Sequence, residues 1–174
     1  GDGVSGQSLV MITPDAERTM NTFLGISASL GMDELNEDAL ANSEFLYIEG
    51  YLCTSDSARA AAIHLRDRAK ALGVKIAVTL SDPTIVEIFR PQISEMIGEH
   101  VDHMFCNEEE ALDWTGAGSV DGAVEALKKQ ADTFCVTLGK KGSLIWNGSQ
   151  LIEVPAQKVD AVDSTGAGDI YAGG

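Results

Sequence analysis

The sequence predicts an α/β fold in which a parallel-rich sheet is covered by helices on both faces. Short apolar runs alternate with helix-like stretches through the middle of the chain, a β-α-β-α-β order that parallel sheets require. The 174 residues, 44% of them hydrophobic, fit one domain with its own core. We therefore expect a single layered unit over residues 1–174, with no repeat and no linker.

The N-terminal elements are strands. Leu9–Thr13 (LVMIT) predicts a strand that ends in the turn Pro14-Asp15-Ala16, and Arg18–Phe23 is expected to return beside it. Phe45–Glu49 (FLYIE) predicts the next strand.

Capping signals place the helices that follow. Thr54 or Ser55 can cap a helix with an alanine- and leucine-rich face, and Gly73 ends that helix. After a strand at Lys75–Leu80, Ser81-Asp82-Pro83 supplies a cap and a first-turn proline. The remaining elements are a helical stretch around Ile93–Ile97, a strand at Asp102–Cys106, helices starting at Asn107 and Ser119, a strand at Thr133–Leu138, and a hairpin of Ser143–Trp146 with Leu151–Val154.

Charge and cysteine content limit the partners. The formal net charge is −15, from 12 basic and 27 acidic residues, which argues against a nucleic-acid or anionic-membrane surface. No apolar run is long enough to span a bilayer. Three widely spaced cysteines indicate buried free thiols in a reducing cytoplasm rather than a disulfide framework.

In such sheets ligands bind at the carboxyl ends of the strands, where two motifs each allow two interpretations. Asn107-x-x-Glu110 is first a helix capping box, and second a carboxylate that holds hydrated magnesium near phosphates. Thr137-Leu138-Gly139-Lys140-Lys141-Gly142 is either a glycine-rich turn or a backbone that approaches the phosphates or ribose of a nucleotide. No Walker A sequence occurs in the chain.

The C-terminal stretch is more specific. Gly166-Ala167-Gly168 opens a small-residue helix, so unshielded N–H groups and the helix dipole can bind an anion without a lysine. Asp169 lies just inside this anion site, where a carboxylate would repel a phosphate. Its position makes sense if Asp169 accepts a proton from a hydroxyl nucleophile as the phosphoryl group arrives. The alternative is a glycine loop with an acidic first turn.

These motifs together resemble the PfkB, or ribokinase-like, carbohydrate and nucleoside kinases. Val162–Gly174 (VDSTGAGDIYAGG) is similar to the C-terminal signature of that family, and the Asn107 and Thr137 motifs occur in the same order. The resemblance covers nearly the whole chain and implies a ribokinase-like three-layer fold. Ile12–Gly25 and Leu80–Pro83 are most similar to the adenosine-kinase-like branch.

The resemblance also implies a role for each motif. Asp169 would be the catalytic base for a primary alcohol, and the N–H groups of Gly166, Ala167 and Gly168 would form the anion hole for the γ-phosphoryl of ATP. The remaining implied sites are Asn107 and Glu110 for magnesium through water, Thr137, Gly139 and Gly142 along the ATP, Arg18 near the phosphates, and Asp163 and Thr165 for the monovalent cation, such as potassium, that some members bind.

The departures from the family pattern concern the two ends of the chain. Nothing here corresponds to the N-terminal Gly-Gly signature and its substrate contacts, and family members continue well past Gly174, so we expect an internal fragment that is incomplete at both ends. Adenosine or a related nucleoside is the first expected acceptor and a free sugar the second, while a non-catalytic binding or structural domain stays open. We also expect apolar surface that promotes self-association.

Overall fold

The computed structural model describes residues 3–14 and 18–174 and contains a small hairpin and a larger sheet. Asp15 and Ala16 of the predicted turn lie outside the described residues. The strands are β1 (Gln7–Ile12), β2 (Arg18–Phe23), β3 (Phe45–Glu49), β4 (Lys75–Thr79), β5 (Val101–Asn107), β6 (Ala131–Thr137), β7 (Ser143–Trp146) and β8 (Leu151–Val154). The α-helices are α1 (Glu37–Ala41), α2 (Asp56–Leu72), α3 (Pro83–Ile97), α4 (Glu108–Thr115), α5 (Val120–Leu127) and α6 (Ala167–Gly173).

The larger sheet has the order β3-β4-β5-β6-β7-β8. The first four strands are parallel, and β7 and β8 add an antiparallel hairpin. The predicted parallel-rich sheet is confirmed, as is the predicted pairing of the first two strands, which form a separate antiparallel sheet.

Alternation along the strands separates the two faces of the larger sheet. Ile48, Val78, Met104 and Phe134 occupy one cross-strand row, and each is at most 2% exposed. Residues of α2 to α5 join this row in one hydrophobic core. The neighbouring residues point to the opposite face. On that face, Asp169, Ala172 and Gly173 of α6 line a cavity together with Phe45, Tyr47, His103 and Phe105 of the sheet.

Side-chain caps define the helix boundaries. The side chain of Ser55, rather than that of Thr54, accepts from the Ala58 N–H to start α2, which ends at Gly73 in a left-handed conformation. Asp82 caps α3, which is much longer than the predicted helical stretch. Proline cannot donate a backbone hydrogen bond, and α3 kinks at Phe89 just before Pro91.

Burial also agrees with two compositional expectations. Cys53, Cys106 and Cys135 are free and buried. Apolar side chains remain exposed on the β1–β2 hairpin, where Leu9 is 65% and Phe23 61% exposed. Self-association through such surface stays a prediction.

No helix among the described residues has the length and apolar character that crossing a membrane requires.

Candidate phosphoryl-transfer site

A cleft of about 930 Å³ opens at the carboxyl ends of the parallel strands. The last residues of β3, β4, β5 and β6 all line it, as expected for an α/β sheet. The cleft gathers the predicted site residues except Gly142 and Asp163, namely Arg18, Asn107, Glu110, Thr137, Gly139, Thr165, Gly166, Ala167, Gly168 and Asp169. Segments far apart in sequence therefore meet where phosphoryl transfer was predicted.

The Gly166–Gly168 segment, or glycine cradle, and Asp169 belong to one tight turn that leads into α6. Gly166 caps the helix in a left-handed conformation with φ 75°. Asp169 lies in the first helical turn, and its carboxylate is close enough that a Cβ added at Gly166 would lie 3.8 Å from Oδ2. The Ala167 N–H donates to the Ser164 carbonyl at 3.2 Å. Of the three predicted anion-hole donors, Ala167 is thus engaged within the loop in this conformation.

Asn107 and Glu110 form the predicted capping box at the start of α4. The Asn107 side chain accepts from the Glu110 N–H at 2.8 Å, while the Asn107 N–H and Nδ2 donate to the two Glu110 oxygens at 2.9 and 2.8 Å. Glu110 is only 5% exposed. Burial raises the pKa of Glu110 to about 7, with smaller upward contributions from Asp82 and Glu109 and an opposing hydrogen bond from Asn107.

The Thr137–Gly142 segment joins β6 to β7 through a short 3-10 helix at Gly139–Lys141. Its two glycines serve different purposes. Gly139 lines the cleft, has φ +56°, and has open space where a Cβ would lie. At Gly142, φ is +105°, and an added Cβ would overlap the Val154 carbonyl oxygen and lie 2.7 Å from the Ala156 nitrogen. Gly142 therefore permits close approach of the chain beyond β8.

We expect Gly142→Ala to lower the free energy of unfolding by about 2–4 kcal/mol, because both the backbone conformation and the overlap oppose a side chain. Gly139→Ala is the matched control and should cost only about 1 kcal/mol, since only the left-handed backbone opposes it. Urea unfolding of both variants measures the difference. If both variants lost the same free energy of unfolding, the close approach of the Val154 carbonyl to Gly142 would not exclude a side chain there.

Arg18 links the β1–β2 hairpin to the cradle loop. Its Nη1 donates to the Ser164 carbonyl at 3.3 Å, across 146 positions of sequence. Asp163 shapes the same loop by accepting from the Thr165 N–H at 2.8 Å. Hydrogen bonds from Thr165 lower the pKa of Asp163, and the nearby Arg18 adds to this effect. Binding of a monovalent cation by Asp163 and Thr165 stays a prediction.

Ser81 lines the cleft at a strand end where the sequence predicted a ligand position, whereas Glu49 and Tyr47 line it without having been assigned. Glu49 accepts from the Ser81 hydroxyl at 3.2 Å, and Ser81 is the one non-glycine residue with positive φ among those described, at 73°. Burial raises the pKa of the neighbouring Tyr47 to about 12, with further upward contributions led by Glu49 and including Asp169. The available signal for Glu49 was its place at the carboxyl end of a predicted strand.

The cleft has a strongly acidic lining. Among the described lining residues Arg18 is the one basic side chain, against the carboxylates of Glu49, Glu108, Glu109, Glu110 and Asp169. Lys141 nearby is paired with both oxygens of Glu108, at 3.1 and 3.0 Å. A polyphosphate entering here would need a cation to offset repulsion.

The oxygen donors suit magnesium better than softer metals. Both Glu110 oxygens are engaged by Asn107, and the described residues contain no group of three or more His, Cys, Asp or Glu side chains arranged to enclose a metal. Magnesium commonly retains several waters and binds through one or two carboxylates plus phosphate oxygens. Oxygen donors of this kind are compatible with a hydrated magnesium ion, and its binding through water by Asn107 and Glu110 stays a prediction.

Known proteins are similar to this chain in both sequence and architecture. Adenosine kinase from Schizophyllum commune is 28% identical over 193 residues, covering 98% of this chain and 55% of that protein. The crystal structure of adenosine kinase from Sinorhizobium meliloti superposes with a TM-score of 0.89 at 36% identity, covering 96% of this chain and 52% of that one. A probable sugar kinase from Rhizobium etli gives a TM-score of 0.89 at 31% identity, covering 96% and 51%.

The chain therefore spans about half the length of these relatives. The predicted ribokinase-like α/β fold is confirmed by the two superpositions, in which 96% of this chain is matched. The family model described as pfkB family carbohydrate kinase matches residues 2–174, nearly the full sequence. This chain belongs to the pfkB family of carbohydrate kinases.

Proposed function

We propose that this chain supplies the phosphoryl-transfer region of an ATP-dependent kinase that phosphorylates a primary alcohol. The observation that carries the proposal is the placement of Asp169 beside the Gly166–Gly168 cradle, in the cleft that also contains Thr137 and Gly139. One cleft thus combines a carboxylate base, a backbone anion site and a glycine-containing loop for the nucleotide.

In the proposed mechanism Asp169 accepts the proton of the acceptor hydroxyl as its oxygen bonds to the γ-phosphorus of ATP. The bond from that phosphorus to the bridging oxygen breaks, and ADP leaves. N–H groups at Gly166 and Gly168, with the α6 dipole, stabilise the negative charge on the transferring group. The Ala167 N–H would join them only by leaving the Ser164 carbonyl.

Asn107 and Glu110 would hold magnesium through water, and the ion would neutralise phosphate charge in this acidic cleft. Their mutual hydrogen bonds fix the carboxylate at the N-terminus of α4, so its position does not depend on the ligand. Arg18 would add a positive charge from the hairpin side. Thr137 and Gly139 would lie along the nucleotide.

We propose adenosine or a related nucleoside as the acceptor, because two of the compared proteins are adenosine kinases. A sugar is the second candidate, favoured by the equal TM-score of the probable sugar kinase. The buried free thiols suit a reducing, cytoplasmic setting for this activity.

The deciding experiment is a phosphotransfer screen of the full-length protein with Mg-ATP against nucleosides and free sugars. We expect acceptor-dependent ADP formation, greatest with adenosine. A sugar as the best acceptor would select the second candidate. No ADP formation above background with any acceptor would refute the proposed phosphoryl transfer and favour a non-catalytic domain.

A further inference from the structure

Helix α6 carries Asp169 and part of the cradle, and a side-chain hydrogen bond joins it to the larger sheet. It is 7 residues long and contains no buried residue. Among the described residues, Tyr171 is the α6 residue whose side chain hydrogen-bonds to the sheet, donating from its hydroxyl to Ser143 Oγ at 2.8 Å.

Ser143 lies in the same cross-strand row as two of the predicted site residues. It is the first residue of β7 and pairs with Thr137, which in turn pairs with Asn107 on β5. Side chains that pair across neighbouring strands point to the same face. The Tyr171 hydroxyl thus connects α6 to the cross-strand row that contains the predicted nucleotide and magnesium residues.

The environment makes this connection costly to lose. Ser143 is 4% exposed, so its hydroxyl would be left in a buried position without this partner. Burial raises the pKa of the adjacent Cys135 thiol, and a hydrogen bond from Tyr171 opposes that shift, which places the same hydroxyl close to β6 as well.

Helical geometry relates Tyr171 to Asp169. Successive residues are about 100° apart around an α-helix, so two residues apart they project about 200° from each other. Asp169 and Tyr171 both line the cleft from this short helix, so fixing the Tyr171 side chain against the sheet also limits where the Asp169 carboxylate can lie. A rotation of α6 about its axis would move the carboxylate and the cradle N–H groups together.

We infer that Tyr171 is a positioning residue, which sets the rotation of α6 through Ser143 and thereby aligns Asp169 and the cradle with the nucleotide loop. This inference rests on the proposed function. Misplacing reacting groups by about 1 Å can reduce turnover as much as about 100-fold. Substrate binding, which uses other residues of the cleft, should be affected much less.

The test compares Tyr171→Phe, Ser143→Ala and the double variant in the full-length protein. We expect each single variant to lower kcat about tenfold with both Michaelis constants nearly unchanged, and the double variant to lose no more than either single one. Amide hydrogen exchange in residues 166–173 should accelerate in all three. Ser43→Ala is the control, because its hydroxyl makes a bond of equal length, 2.8 Å to the Ala39 carbonyl, just before the amino end of β3.

The outcomes separate this inference from the function on which it rests. A wild-type protein that phosphorylates no acceptor would refute the proposed function. With an active wild type, the inference alone is overturned if Tyr171→Phe keeps the wild-type kcat, if exchange in residues 166–173 does not accelerate, or if the losses of the two single variants add in the double variant.

Discussion

Asp169→Asn in the full-length protein is expected to reduce kcat by about 100- to 10,000-fold, the usual contribution of a general base. Asparagine keeps the size of the side chain and its place in the first turn of α6 but cannot take the proton of the acceptor hydroxyl. Because the substitution removes a negative charge beside the phosphate site, ATP affinity should be unchanged or slightly higher. Steady-state kinetics and a direct nucleotide-binding titration measure the two quantities separately.

Asp121→Asn provides the matched control. Asp121 also lies in the first turn of a helix, α5, so the change in charge and in the interaction with the helix dipole is similar. It does not line the cleft. Activity of Asp169→Asn within a few-fold of the wild type would refute the base assignment, whatever the control shows.

Glu110→Gln is expected to weaken the use of magnesium by about 10- to 100-fold, the range seen when a group that orients metal-bound ligands is changed. Glutamine can still complete the capping box, so α4 should persist. Activity at low magnesium should fall most, and excess magnesium should restore much of it. A magnesium titration of the initial rate is the measurement.

Glu34→Gln is the control for that substitution. Glu34 also accepts from a backbone N–H three positions earlier, that of Gly31 at 2.9 Å, but it is exposed and lies outside the cleft. An unchanged magnesium dependence in Glu110→Gln would contradict the proposed metal role and leave Glu110 with its capping role alone.

The same substitution tests the ionisation of Glu110. Its pKa is raised from the usual 4.5 to about 7 by burial, so between these values the folded state retains a proton that the unfolded state releases. The free energy of unfolding should therefore fall as pH rises through this window, and Glu110→Gln should lose that component of the pH dependence. Magnesium, by favouring the charged carboxylate, should lower the pKa and reduce the effect.

Much of the fold could be predicted because its signals are local. Apolar runs, the caps at Ser55 and Asp82, and the Asn107–Glu110 capping box each involve residues within one turn of helix or one strand. The short helix α1 was missed because its 5 residues are too few to show a periodic pattern. The length of α3 was underestimated because Pro91 interrupts a helix that continues past it.

The features of the site that could not be predicted from the sequence depend on contacts between distant segments. The close approach of Gly142 to the end of β8, the bond between Ser81 and Glu49, and the bond between Tyr171 and Ser143 each depend on how whole elements pack. Their sequence neighbourhoods are unremarkable. Asp169 and the cradle could be proposed from the sequence because a carboxylate directly after a glycine-rich helix start is unusual without a chemical purpose.

The order of the larger sheet bears on how the protein acquires its activity. Its strands follow one another in space as they do along the chain, so each new strand can join the edge formed by the one before it. Such growth lets each strand pair with one that the chain has already formed, so the sheet can assemble stepwise during synthesis. The proposed base, however, is on α6, which follows all of these strands along the chain. The residues proposed for phosphoryl transfer can therefore come together only after the sheet that carries the rest of the cleft has formed.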